Sequence, residues 1–420
     1  MTPCRHSLGR IGRLAFVALA GVAPRVHAFD TSAIDLAGSA RAAEWSHSRR
    51  LDEAGPVSTG GVWARATAHA GTETAIVADV WAQGADHGES SAGLRELFVK
   101  ASIGRVDLRA GRQQIAWGRA DGINPTDSVG RRDYTRLAVD DADQRDGADV
   151  VSAQWFPSDG LGLQALWLPD FRSDVIPLRT SPAASLSTET SRGSMQHAVK
   201  LERTAGAVDW SVSWFDGVDR MPDLALGGVG PQGVAVVLSN HRVRTLGADF
   251  SASTGTVTWR GELAWSKRPD AGAVDSFFRK RSQVMAVLGG DRAFGNTTNV
   301  NLQMFAQWVP KWRNPGDLGE PIAVAVATEQ SAINNQPGKH QFGASWRVST
   351  SWANEAWQAE CSGIVSLTTH GNLVRAQLKH AFADRWRLAA GIDRYAGQPD
   401  TVFGQLRDNS TGYVELRALF

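Results

Sequence analysis

The chain has 420 residues, and its 44 Lys and Arg against 43 Asp and Glu leave a formal charge of +1, so no global field points to nucleic acid or another polyanion. Hydrophobic residues make up 42% and charged residues 21%, too polar for a bundle of membrane helices and too apolar for a disordered chain. The two cysteines, Cys4 and Cys361, stand far apart, which excludes a disulfide framework and a thiolate zinc site.

The chain opens with Arg5, Arg10 and Arg13 ahead of the apolar run from Leu14 to Ala23, and Val26-His27-Ala28 offers small residues for cleavage. This pattern predicts an export signal over 1–28 and a mature single domain over 29–420. The apolar run is too short to span a bilayer, and no later apolar stretch nears the ~18 residues of a membrane helix. Cys4 precedes that run, which disfavours a lipoprotein. The mature protein is therefore either soluble and secreted or a membrane-spanning barrel.

Along the mature chain, apolar and polar residues alternate with period two, as strands with one apolar and one wet face require. Val62, Ala64, Ala66 and Ala68 oppose Arg65, Thr67 and His69; Ile76, Ala78, Val80 and Ala82 oppose Asp79 and Gln83. Strands are next expected over 97–103 and 106–110, then at Val208 to Trp214. Val257, Trp259, Leu263 and Trp265 follow, then Val300 to Trp308, Phe342 to Val348, and finally Val414, Leu416, Ala418 and Phe420. Turn-rich pieces such as Asp216-Gly217 and Asn314-Pro315-Gly316 punctuate the series. The polar face carries Arg, Lys, Asp and Glu while the apolar face is headed by Trp and Phe near strand ends. That is the inside-out arrangement of an outer-membrane barrel with aromatic girdles, a setting that suits sixteen Trp. The expected fold is an all-β, antiparallel up-and-down transmembrane barrel. At roughly 22 to 25 residues per strand with its connection it would have about 16 to 18 strands, enough for an aqueous lumen. Ending on Phe420 after such a strand resembles the signal read by the bacterial barrel-assembly machinery.

The densest charge lies between 119 and 149, where eight aspartates, among them Asp121, Asp127, Asp133, Asp140 and Asp141, accompany Arg119, Arg131, Arg132, Arg136 and Arg145. A segment of this length without alternation usually has a task. Two readings stand: part of it folds into the lumen with the arginines as forked donors for carboxylate, phosphate or sugar groups, or it is a salt-bridged cover over the mouth. Lys100 and Arg109 alternate with apolar neighbours and should point inward, while Arg112 follows Gly111, a candidate turn. These inward bases either form a selectivity ladder or pair with wall carboxylates such as Asp107 and Glu96. Asp140-Asp141-Ala142-Asp143 lacks the spacing of a calcium loop. The histidines are scattered singly, without metal-site spacing, so neither metal nor cofactor is expected.

Arg112-Gln-Gln-Ile-Ala-Trp-Gly-Arg-Ala-Asp-Gly-Ile-Asn-Pro-Thr-Asp127, Phe215-Asp-Gly-Val-Asp-Arg-Met-Pro-Asp223 and Phe403-Gly-Gln-Leu-Arg-Asp-Asn409 together resemble a group of Gram-negative outer-membrane porin-like barrels, with alginate-export-type barrels among its broader relatives. The resemblance implies location in the outer membrane of a Gram-negative bacterium and a wall position for Arg112, Trp117 and Asp121. The expected function is a passive channel for small polar solutes, anionic or sugar-like ones among them, with no catalytic residue. Neutralising Arg131 and Arg132 together is expected to shift its ion selectivity. An occluded barrel serving assembly, export or surface binding, and a barrel enzyme, are the alternatives. Expected partners are outer-membrane lipid, the assembly machinery and the solutes, with homo-oligomerisation left open.

Overall fold

The computed structural model describes residues 34–52, 55–86, 90–179, 184–189, 195–231 and 233–420, so the expected export signal lies outside the described residues. Eighteen strands form one closed antiparallel sheet. They are β1 (Ile34–Trp45), β2 (Val57–Ala70), β3 (Thr74–Ala85), β4 (Ser91–Ile103), β5 (Val106–Gln113), β6 (Ala148–Ser158), β7 (Leu161–Leu168), β8 (Gln196–Arg203) and β9 (Val208–Val218). The rest are β10 (Arg242–Thr254), β11 (Val257–Lys267), β12 (Gln283–Phe294), β13 (Thr298–Trp308), β14 (His340–Trp352), β15 (Trp357–Ser366), β16 (Asn372–Ala383), β17 (Trp386–Ala396) and β18 (Thr411–Leu419). Each strand pairs with the next, and β1 pairs with both β2 and β18, which closes the ring and leaves no open edge.

Connections alternate strictly in length. Tight turns such as 104–105, 159–160 and 255–256 join strands at one end, while 114–147, 169–195, 219–241 and 309–339 join them at the other. In outer-membrane barrels the short turns are periplasmic and the long loops extracellular, which orients the molecule. Val300, Leu302, Met304, Ala306 and Trp308 face outward from β13, and Asn301, Gln303 and Gln307 face the interior and are buried. Outward aromatic rings gather at both rims. At the short-turn rim Trp352, Trp357 and His380 stack across neighbouring strands with centroids 5.9 and 3.9 Å apart. Toward the long-loop rim lie Trp214, Trp265 and Trp308, exposed to the surroundings of the barrel. On β11 the two rims are marked by Trp259 and Trp265, six residues or about 20 Å of strand apart.

Gly111 is not a turn: β5 continues through it to Gln113. Its φ of +129° and a would-be Cβ only 2.2 Å from the Leu97 carbonyl oxygen show why glycine stands there.

Outside the barrel, on the long-loop side, the strands Ala184–Thr188, Gly233–Ser239 and Asp223–Gly230 form a small sheet. Helix α1 (Pro321–Ile333) packs on it, with Phe278, Ala323, Val326 and Ala327 buried against Leu226 and Val236. The Glu320 carboxylate caps α1 by accepting the Ala323 N–H at 2.7 Å, and Pro321 starts its first turn. Gln330 fixes helix to sheet, accepting the Leu224 N–H at 2.5 Å and donating to Asp223 at 2.6 Å.

Candidate functional site

The charged segment enters the barrel at the end of β5. Gln113 is 1% exposed, donates to the Val150 carbonyl at 3.0 Å and accepts from Ser152 at 3.2 Å. Trp117 then sinks into a cluster with Val129, Val150, Leu166, Phe215 and Val243 and donates to Gln164 at 3.0 Å. Next to it Gly118, at φ +97°, passes so close to the inward-facing Glu262 of β11 that a Cβ would lie 2.4 Å from its carboxylate oxygen. One oxygen of Glu262 accepts the N–H groups of Arg119 and Ala120, both at 2.6 Å, and the other accepts the Thr126 hydroxyl at 2.9 Å and its N–H at 3.3 Å. A single wall carboxylate thus satisfies three backbone N–H groups that have no sheet to bond to, together with the Thr126 hydroxyl, where each unsatisfied buried donor would cost about 1–3 kcal/mol.

From this anchor the segment 114–147 crosses the interior and engages inward side chains on many strands. Arg119 donates to Asp249 of β10 at 2.7 Å. Asp121 pairs with Arg347 of β14, and its N–H reaches Gln303 of β13 at 3.1 Å. Asp140 lies 2.7 Å from Lys379 of β16 and 3.0 Å from Arg417 of β18, and Asp141 lies 2.5 Å from Arg375 of β16. Other members bind within the segment or to the next loop. Asp127 accepts from Arg145 at 2.8 Å, Arg131 pairs with Asp146, and Arg136 donates to Asp146 at 3.0 Å while lying over the Trp81 ring at 4.1 Å. Asp133 accepts from Thr135 at 2.6 Å and lies 3.7 Å from Arg136. Two residues stay on the wall. Arg109 faces inward over Phe98, and Arg112, on the opposite face of β5 from Gln113, forks onto Asp149 at 2.8 and 3.1 Å. The charged stretch read as 119–149 thus ends in structural terms at 147, because Ala148 and Asp149 already belong to β6.

A second loop clips the segment in place. Arg132 donates its N–H to Asp174 at 2.8 Å and accepts from Val175 N–H at 3.0 Å, while Tyr134 N–H reaches the Val175 carbonyl at 2.9 Å. Burial pushes the Asp174 carboxyl up to about 6, against the lowering effects of the Arg132 N–H, Arg220 and Arg131. Asp219 nearby is different: burial also opposes its charge, but Lys280 and Arg268 hold it down at about 2. For Asp140 and Asp141 burial again works against ionisation, and Lys379 with Arg417, and Arg375, respectively outweigh it, so both lie below the usual carboxylate value.

Three cavities follow one another through the interior. The outermost, about 470 Å³, is lined by Asp127, Arg132, Asp174, Arg268 and Lys280 among others. The middle one, about 380 Å³, is bounded by Asp121, Asp140, Asp141, Arg347, Glu360, Arg375 and Lys379. The third, about 680 Å³, opens at the short-turn end beside Glu355, Arg387, Glu415 and Arg417. Outer and middle cavities share Gly122, Asp141, Leu373 and Arg375; middle and inner share Lys379. Loop carboxylates pair directly with wall bases in the lining of the middle cavity. Sequence reading missed those bases: Arg347, Arg375, Lys379 and Arg417 each sit on the wet parity of an alternating strand, which was the available signal. Among the described residues no group of three or more His, Cys, Asp or Glu side chains could hold a metal ion.

Fold and interior define the class: a porin-like β-barrel of the outer membrane. The chain belongs to the family described as "Protein of unknown function (DUF1302)", whose model matches residues 82–417. Among solved structures it is similar to OccAB1 of Acinetobacter baumannii, at 9% identity and TM-score 0.55, covering 94% of this chain and 98% of that one. It also matches a mutant porin of Rh. blastica at 12% identity and TM-score 0.43, covering 92% and 100%, and OmpT of Vibrio cholerae in a trimer form at 10% identity and TM-score 0.44, covering 92% and 99%. No curated protein matches the chain.

Proposed function

We propose that the protein is a passive diffusion channel for small polar solutes, with the segment 114–147 as its constriction. The observation that carries this reading is the succession of polar cavities from the long-loop mouth to the short-turn mouth, the first two sharing Asp141 and Arg375 in their linings and the last two Lys379. Asp121, Asp140 and Asp141 of the segment pair directly with the wall bases Arg347, Lys379 with Arg417, and Arg375, respectively. Paired charges of both signs along the passage offer donors and acceptors together, which suits sugar-like molecules and small carboxylates. Near balance of the two signs predicts modest ion selectivity. Arg119, Arg131, Arg132, Arg136, Asp127 and Asp133 act in this reading chiefly by holding the segment in shape, while Arg109 and Arg112 belong to the wall, Arg112 on its outward face. No chemistry and no cofactor enter. Insertion through the assembly machinery, guided by Phe420, belongs to the same reading, as does the distant likeness to alginate-export-type barrels.

Single-channel conductance of the refolded mature chain in a planar bilayer tests this, with the reversal potential measured under a salt gradient. Stable conducting steps with a small reversal potential are expected. A folded but silent barrel would overturn the channel reading in favour of an occluded barrel, whose external sheet and α1 would then be its working surface.

A further inference from the structure

The outer wall carries a cationic row that the interior does not explain. Cross-strand register places Val199, Trp214, Leu246 and Trp265 side by side on the outward faces of β8 to β11. Two residues farther along each strand, about 7 Å nearer the long-loop end, the same register places His197, Asp216, Arg244 and Lys267 in the next row. Arg242 stands on the same face of β10, one further step outward. Asp216 holds the two arginines, 2.7 Å from Nη2 of Arg242 and 2.8 Å from Nε of Arg244. Their side chains remain 45% and 65% exposed while Asp216 is only 11% exposed, and Lys267 is exposed.

Charge does not cancel here. In this row and the next step outward three cations meet one carboxylate, and Asp270, three residues beyond Lys267, lies 2.9 Å from Lys311. On another side of the barrel the corresponding outward end of β1 carries Glu44, which accepts from Ser58 at 2.8 Å. The long-loop rim is thus uneven in charge, and this sector gathers three cations around one carboxylate. The group begins directly above the aromatic row that ends the apolar band, at the depth where lipid headgroups lie. A guanidinium fixed by a buried carboxylate loses little freedom on binding, and its unused N–H donors match phosphate oxygens in a forked geometry.

We propose that Arg242, Arg244 and Lys267 form a binding site for the phosphate of a phosphorylated glycolipid headgroup in the outer leaflet, with Trp214 and Trp265 against its acyl chains. The site is independent of conduction, because it lies on the face of the wall opposite to the lumen. The lipid serves as an annular anchor that fixes the depth of this sector.

Energy transfer from tryptophan to a dansyl-labelled, bisphosphorylated lipid A tests it, using the full mature chain in phosphatidylcholine vesicles. The dephosphorylated lipid is the comparison. The expected result is at least about fivefold greater enrichment of the phosphorylated lipid around the protein, on the scale of two charge-assisted contacts. The triple substitution R242Q/R244Q/K267Q should bring the two lipids to parity, while R242K/R244K retains part of the preference and E44Q leaves it unchanged. Heat-modifiable migration of each variant on a gel confirms that the barrel has folded. Equal enrichment of both lipids by the wild type, or a preference that survives the triple substitution, overturns the proposal. Complete release of the labelled lipid by millimolar inorganic phosphate also overturns it, since the site would then be a soluble-phosphate site and not a lipid one.

Discussion

Two sides of the same barrel, built on the same alternation, treat their interior differently. Inside β2 to β4 the wet face carries Trp63 and Trp81, stacked 6.3 Å apart. Arg41 lies over the first ring at 3.9 Å and Arg136 over the second at 4.1 Å. The charges there are settled among themselves: Arg65 lies 2.6 Å from Glu96, and Asp143 accepts from Arg95 at 2.9 Å and from Arg41 at 2.5 Å. Inside β14 to β16 the corresponding positions are Ser345, Arg347, Glu360, Ser362, Arg375, Gln377 and Lys379, and the middle cavity lies against them. The lesson concerns volume, because ions are paired on both sides. Large stacked rings plug a wall, whereas small polar residues leave a passage.

Breaking the segment's anchor should erase the difference between the two sides. Glu262→Ala leaves four donors without their acceptor, at a cost of roughly 4 kcal/mol or more, and should raise single-channel conductance severalfold as the segment loosens; unchanged conductance would mean the segment is held elsewhere. Trp81→Ala strikes the plugged side alone. A loss of about 3–5 kcal/mol of unfolding free energy, read from urea denaturation of the refolded barrel, is expected, with conductance altered far less than by the Glu262 change.

Asp174 offers a pH test of the clip over the plugged side. Its folded-state value of about 6 lies above that of an unfolded carboxyl, near 3.9, so folding favours the protonated form. The contribution of this group to stability is then largest below pH ~4 and declines by about 3 kcal/mol as pH rises through 6. Asp174→Asn should flatten that part of the profile in pH-dependent urea denaturation, and a slope that persists would assign the titration to another group. The smallest effect, about 1 kcal/mol or a few-fold in permeability ratio, is expected on the open side. Arg375→Gln with Lys379→Gln should turn the reversal potential toward cations. Neutralising Arg131 and Arg132 should shift it less, because Arg131 lines none of the three cavities; a larger shift from that pair would move the constriction toward the outer cavity.

The strands were legible because a sheet with lipid outside and water inside forces period two on every segment that crosses the membrane, and Val300 to Trp308 or Val414 to Phe420 display it residue by residue. The same parity was available for Arg375 and Lys379, but it went unread on their strand. What it could not reveal was their partner, since Asp140 and Lys379 are 239 residues apart in the chain and only barrel closure brings them together. The short motif around Gly111, Gln113 and Trp117-Gly118 was visible as a motif, but its reason was not. Gly118 is needed because Glu262 stands against it, and Gly111 because its backbone approaches Leu97.

The amino-acid sequence by itself determined an inside-out all-β barrel of 16 to 18 strands, because alternation and rim aromatics are local properties that a strand cannot hide. Only the tertiary structure decided that there are eighteen strands in a closed ring, that the segment 114–147 lies within it, and which wall it leaves uncovered. Those outcomes depend on long-range pairing, on the match between one buried carboxylate and four loop donors, and on where bulky side chains happen to meet across the lumen.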